Sequence, residues 1–261
     1  MNTKIDFDIT SIEKAAKTIY GIADSTPLIP SPFLSAFCKT EVLLKLESMQ
    51  PIGTFKIRGA LNAIQNLPQE IFGVTCCSTG NHGRGVAYAA KKRGIKAVIF
   101  MSKLVPRVKI EAVESLGAEV RLVGDNQTAA EIACKNFVSE HGYCEIPPFD
   151  NRDVIAGQGT IAFELVFQNP KVSTIIVPLS GGGLASGVAV AAKSKNPYIQ
   201  IIGVTMEDGA VMHQSLSVGK PIDLEEKPSL ADALGGGIGP NNQYTFQLCR
   251  DYLSESVTVS E

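Results

Sequence analysis

Pro51-Ile52-Gly53-Thr54-Phe55-Lys56-Ile57-Arg58-Gly59-Ala60 is the stretch whose reading decides the fold. It sets one lysine after a Gly-Thr turn and before a helix-like run, Ile57 to Ile64. On a pocket floor away from bulk water, desolvation disfavours the ammonium, lowers its pKa and frees the nucleophilic amine. An imine-forming lysine needs that setting. A lone lysine at a helix start is ordinarily a solvated surface charge, so the rest of the chain must decide.

Two further segments bear on it. Thr174-Ile175-Ile176-Val177-Pro178 is fully apolar and reads as a central parallel strand. It runs into Ser180-Gly181-Gly182-Gly183-Leu184 and an Ala-rich helix to about Lys193. Glycines there let the backbone approach closely, so that successive N–H groups and a helix N-terminus aim at one anion, a phosphate cup. No G-K-[ST] follows, which excludes a Walker loop, and no G-x-G-x-x-G occupies a first strand–helix turn. The second segment, Ser78-Thr79-Gly80-Asn81-His82-Gly83, follows the short strand Val74–Cys77. Its hydroxyls, amide and N–H groups suit a carboxylate; taken alone, the same residues also make an ordinary helix cap.

Around these segments strands and helices alternate. The periodicity predicts helices over 11–22, from Ile57 to near Leu67, and over 86–93, 108–116, 128–140, 229–234 and 244–253. A further helix follows Ile155-Ala156-Gly157-Gln158-Gly159-Thr160 and runs to about Val166. Strands are expected at 41–47, 74–77, 96–100, 119–123, 174–178 and 200–205, with one beginning at Ser256. Segment 206–228 reads as irregular or a short helix. Glycines closing the helices at Gly94, Gly117 and Gly142 mark parallel βαβ units. The expected division is a small α/β domain over 52–148 inserted into a larger one made of 1–51 and 149–261.

The chain has 261 residues, 44% hydrophobic and 19% charged, enough for a packed core and against disorder. A net charge of −2 suggests neither a nucleic-acid nor an anionic-membrane partner. No apolar run reaches spanning length, and Met1 to Thr10 carries acids rather than a leader pattern. The six cysteines form no C-x-x-C pair and read as reduced thiols of a cytoplasmic protein; three histidines make a multi-histidine metal centre a poor expectation.

A lysine able to form an imine, a phosphate cup and a carboxylate cup together suit a phosphorylated aldehyde cofactor acting on an amino acid. The chain resembles the fold-type II pyridoxal-phosphate enzymes, in the serine/threonine dehydratase and serine racemase branch. The resemblance runs from about Thr26 to Glu261 on four ordered motifs: Gly53 to Ala60, Ser78 to Gly83, Ile155 to Thr160 and Ser180 to Leu184. Within that branch, Ser229 to Gly239 looks most like the ectoine/hydroxyectoine-utilisation dehydratases.

The resemblance implies two open parallel-sheet α/β domains of the tryptophan synthase β-like kind. It implies pyridoxal 5′-phosphate as cofactor, with Lys56 bonding its aldehyde carbon and taking the substrate α-proton. Phe55 would pack near the ring, Asn81 would bond the ring 3′-oxygen, and Ser180, Gly181, Gly182, Gly183 and Leu184 would hold the phosphate. Ser78, Thr79, Asn81 and His82 would line the substrate carboxylate site, with the Thr79 hydroxyl able to serve the other face of Cα in a racemase. The implied reaction removes water and ammonia from a β-hydroxy amino acid. A racemase, a β-replacement synthase and a non-catalytic binding module are the alternatives, and the absence of arginine between Leu122 and Asn151 speaks against a racemase. The family also implies a homodimer or homotetramer.

Three departures stand out. Thr205, Gly209 and Val211 occupy positions where relatives place an acidic cation ligand, while Glu207 and Asp208 are off register, so no structural metal is expected. Gly236 falls where a small hydroxyl residue is usual; it either opens space or serves a backbone at positive φ. The family continues beyond the position of Glu261, including a Ser or Thr for the pyridine nitrogen, so the chain reads as truncated at its C-terminal side.

Overall fold

The computed structural model describes residues 5–78, 80–227 and 229–261. Helix α1 (Ile9–Ile19) opens on Asp8, whose carboxylate accepts from the Thr10 N–H, and buries Ile12, Ala15 and Ile19 at helical spacing. It starts and ends earlier than the periodicity suggested. A small antiparallel pair follows, β1 (Leu28–Pro30) with β2 (Leu43–Lys45), the second shorter than the 41–47 expected; between them lies α2 (Pro32–Cys38). Neither β1 nor α2 was foreseen.

Helix α3 (Lys56–Gln65) begins at the lysine itself. Then come β3 (Gly73–Cys77), α4 (Asn81–Arg93), β4 (Lys96–Met101), α5 (Arg107–Glu114), β5 (Glu119–Leu122), α6 (Gln127–His141) and β6 (Cys144–Glu145). These strands form one parallel sheet in the order β5-β4-β3-β6. Gly94 and Gly142 close α4 and α6 in the left-handed conformation, as their positions implied.

Helix α7 (Arg152–Gln168) is longer than expected and contains the whole Ile155–Thr160 motif. The second sheet takes β7 (Thr174–Pro178), β8 (Gln200–Met206) and β9 (Glu255–Val259), all parallel, with α8 (Gly183–Lys195), α9 (Val211–Val218) and α10 (Thr245–Tyr252) around them. The order β7-β8-β9 corrects one expectation: β8 is central and β7 an edge among the described residues. Its apolar run misled because Ile175 and Val177 face the core while Ile176, between them, is 69% exposed. The helix expected over 229–234 is a single 3₁₀ turn at Asp232–Leu234.

Each sheet has its own apolar core. One gathers Ile57, Leu61, Val74, Val86 and Ile99; the other Ile12, Ile155, Leu179, Val188 and Ile201. Helix α7 links them: Val154 belongs to the first core and Ile155 to the second. The motif glycine Gly157 explains how closely α7 meets α3, since a Cβ there would lie 2.4 Å from the Arg58 carbonyl oxygen. The Arg58 guanidinium is buried and ties the same elements by ion pairs to Glu47 at 2.8 Å and Glu164 at 2.6 Å, so the helix bearing Lys56 is held from both sides.

Candidate active site

A cavity of about 740 Å³ lies where the C-terminal ends of β3 and β7 meet. Phe55, Lys56, Ser78, Asn81, His82 and Ser180 to Leu184 all line it, so segments about a hundred residues apart converge as the motifs implied. Thr79 lies outside the described residues.

Lys56 opens α3, and its Nζ donates to the Pro148 carbonyl at 2.8 Å. Burial pushes its pKa down to about 8, with the Cys76 sulfur opposing. Burial also holds the Cys76 thiol well above its ordinary range, so it remains neutral beside the amine. The Phe55 ring centroid lies 5.5 Å from Nζ. The site therefore contains a desolvated lysine with a carbonyl partner, and its lowered pKa enlarges the share of neutral, nucleophilic amine near physiological pH.

The Ser180–Leu184 loop carries β7 into α8. Gly182 caps the helix at φ +85° with no side-chain hydrogen bond. The first N–H groups of a helix have no intrahelical partner, and the helix dipole makes that end favourable for an anion. Glycine is imposed by packing: a Cβ at Gly181 would stand 2.3 Å from Phe149 Cδ1. Asp150, next to Phe149, accepts from the N–H groups of Gln243, Tyr244 and Thr245 and so fixes the wall against which the loop rests.

The turn from β3 into α4 is built differently. The Ser78 oxygen accepts from the N–H groups of Gly80 at 3.3 Å and Gly83 at 3.0 Å, which leaves its hydroxyl hydrogen to donate. Helix α4 starts at Asn81, five residues before the expected Val86; its cap residue Gly80 has no side chain, and Ser78, two residues earlier, accepts from the Gly83 N–H and supports the first turn instead. Asn81 Oδ1 accepts from Arg84 Nη2 at 2.5 Å, and its Nδ2 remains a donor. His82 is 4% exposed, and its Nε2 lies 2.8 Å from the Ile146 carbonyl, so Nε2 bears the proton. Burial, then the Lys56 charge, push its pKa down to about 3, against the bond to Ile146. The side chain thus has no N–H left for a carboxylate; that role would fall to its main-chain N–H at the helix start.

Several lining residues escaped the sequence reading. Arg84 recurs one turn after Asn81 on α4, the one local signal that could have found it. Gln158 sits inside a recognised motif but lacked any sign that it reaches the cavity. Lys109 of α5 pairs at 2.5 Å with Asp232, joining the two halves across the cavity mouth. Gly236 adopts φ +103° with open space where a Cβ would stand, so both properties weighed for it hold together. Asp208 forms an exposed ion pair with Lys227 at 3.3 Å.

Pyridoxal phosphate fits these residues: the cavity is within the range of cofactor sites, the lysine amine is desolvated, and the glycine loop offers unspent N–H groups. A family model described as pyridoxal-phosphate dependent enzyme matches residues 20–261. A putative threonine dehydratase of Sinorhizobium fredii is 47% identical over 100% of this chain and 79% of its own length. A biosynthetic L-threonine dehydratase of Pasteurella multocida is 40% identical over 92% of this chain, which spans 47% of that protein. The structure of maize serine racemase superposes with a TM-score of 0.93 at 37% identity, covering 98% of this chain and 78% of that one.

Proposed function

The chain belongs to the fold-type II pyridoxal-phosphate dependent enzymes, in their serine/threonine dehydratase branch, and on that premise we propose that it converts L-threonine or L-serine to a 2-oxo acid and ammonia. The observation that carries this reading is the single cavity in which a desolvated lysine, a helix-end anion loop and a hydroxyl- and amide-bearing turn meet.

Bound pyridoxal phosphate supplies an electron sink for the pair left at Cα when its proton departs. Lys56 Nζ takes that proton, with the Pro148 carbonyl orienting the amine. The N–H groups from Gly181 to Leu184 would hold the phosphate, and Phe55, which lines the same cavity, would pack near the ring. Asn81, whose Oδ1 is held by Arg84, would offer Nδ2 to the ring oxygen. The Ser78 hydroxyl and the Asn81 and His82 main-chain N–H groups, which Ser78 does not occupy, would hold the substrate carboxylate, and Thr79 is assigned to the same cup by its sequence position. The Cβ–O bond would then break, the departing hydroxyl leaving as water with a proton equivalent to the one Lys56 Nζ took from Cα; the released enamine would tautomerise to the imine and hydrolyse to the 2-oxo acid and ammonia.

The division into a 52–148 unit and a discontinuous 1–51 and 149–261 unit belongs to this proposal, as do a dimer or tetramer and a cytoplasmic setting. Among the described residues no helix is long and apolar enough to cross a membrane. A hydroxyectoine-derived amino acid remains a candidate substrate through the resemblance of residues 229–239 alone. Racemisation is the second reading, favoured by the likeness to a serine racemase.

The test incubates the chain and Lys56→Ala with pyridoxal phosphate and L-threonine or L-serine, and assays 2-oxo acid and D-amino acid. Lysine-dependent 2-oxo acid supports the dehydratase. D-serine without 2-oxo acid moves the assignment to racemase, and turnover retained by Lys56→Ala removes the proposal.

A further inference from the structure

Gln158 is 1% exposed, lines the cavity, and neither its Nε2 nor its Oε1 has a hydrogen-bond partner among the described residues. A buried carboxamide with both ends unspent is unfavourable unless something polar reaches it. Its neighbour is informative. A Cβ at Gly59 would stand 2.3 Å from Gln158 Nε2, so the absence of a side chain there admits the amide against α3. Gly59 lies three residues after Lys56, on the same face of that helix. The Gln158 amide therefore packs on α3 one turn from Lys56, and its Oε1 is an unspent acceptor in the cavity that Lys56 also lines. His82 Nδ1 is a second buried acceptor without a partner on the same cavity.

We propose that Gln158 is a positioning residue for Lys56: its Oε1 accepts a hydrogen bond from Nζ when the amine takes up a proton, sharing the ammonium with the Pro148 carbonyl. An uncharged acceptor suits this place. A carboxylate there would lock the lysine as a permanent ammonium, whereas an apolar side chain would leave the protonated form with one fewer partner. The titratable groups that face Lys56 are His82 from α4 and Cys76 from β3, and both are held neutral. Helix α7 faces it with the uncharged Gln158 and the glycine loop with none; Arg84, Lys109, Glu131, Glu226 and Asp232 line the outer cavity. The consequence for turnover rests on Lys56 being the reacting lysine, but the contact does not.

The test follows the pH dependence of Lys56 acylation in the whole chain by competitive labelling with acetic anhydride and mass spectrometry, with and without added pyridoxal phosphate. Unmodified chain should show a midpoint near pH 8. Gln158→Glu should raise the midpoint by about one unit or more, and Gln158→Met should lower it, since each changes the stabilisation of the charged form in a known direction. A merely structural glutamine would change thermal stability without ordering the two midpoints in this way. Should Gln158→Glu fail to fold, Gln158→Met alone decides, and a midpoint unchanged from the parent overturns the proposal. Labelling that follows the expected order in a chain that forms no 2-oxo acid would sink the dehydratase reading and leave this contact standing.

Discussion

The turn from β3 into α4 and the turn from β7 into α8 both carry a parallel strand into a helix at the same cavity, yet they spend their hydrogen bonds in opposite ways. The first serves itself: Ser78 accepts from two main-chain N–H groups, Arg84 holds Asn81, and His82 donates to Ile146. The second has no side-chain cap and keeps its shape by packing on Phe149. A turn that satisfies part of its own backbone places side chains accurately and keeps few N–H groups for a small anion, whereas a turn that leaves all its N–H groups unspent offers them to a larger one. The two turns therefore suit different ligand groups, a carboxylate or ring oxygen at one and a phosphate at the other.

Substitution can break this contrast, most strongly at the loop. Gly181→Ala sets a methyl 2.3 Å from Phe149 Cδ1, so ring or loop must move. Overpacking of this kind costs about 1–3 kcal/mol, which should weaken pyridoxal phosphate binding by up to about 100-fold in a fluorescence titration. Unchanged affinity would mean that the loop is not the phosphate site.

His82 gives the next effect, through pH. Its folded pKa of about 3 lies below the ordinary 6.5, so the unfolded chain binds the proton more readily between those values. Stability contributed by neutral His82 is complete above pH 6.5 and is lost as pH falls towards 3. Urea melts should show a loss on the order of 1–2 kcal/mol between about pH 6.5 and 5 that is reduced in His82→Asn. A parallel acid response in both proteins would contradict the buried neutral imidazole.

Ser78→Ala should cost about 1 kcal/mol through the lost cap, seen as a lower melting temperature, while cofactor affinity stays within about twofold. The smallest effect belongs to Arg84→Met, which frees the Asn81 amide to rotate. Cofactor affinity should fall about threefold with melting temperature nearly unchanged, as befits one hydrogen bond. If Ser78→Ala abolished cofactor binding instead, the division of labour between the two turns would be wrong.

Much of this arrangement was legible in the sequence because it rests on local rules. Gly94 and Gly142 end helices where left-handed caps are needed, and the short apolar strands fix the βαβ rhythm. What escaped depends on distant partners. Strand β6 is two residues long and exists only by pairing with β3, so no pattern announces it. β7 reads as central because its composition does not reveal that nothing pairs beyond it among the described residues. The early start of α4 depends on how Ser78 points, and Gln158 reaches the cavity only because Gly59 yields room from another helix. Residue types and order sufficed to bring Lys56, Asn81 and Ser180–Leu184 to notice; their hydrogen-bond partners required the fold.

The central claim is that Lys56, on the floor of this cavity, is the residue that bonds pyridoxal phosphate. The most direct measurement is borohydride reduction of the chain with pyridoxal phosphate, followed by proteolysis and mass mapping of the phosphopyridoxyl group. Stoichiometric label on Lys56, absent from other lysines, is the expected result. Label spread over surface lysines, or none at Lys56, would contradict the account.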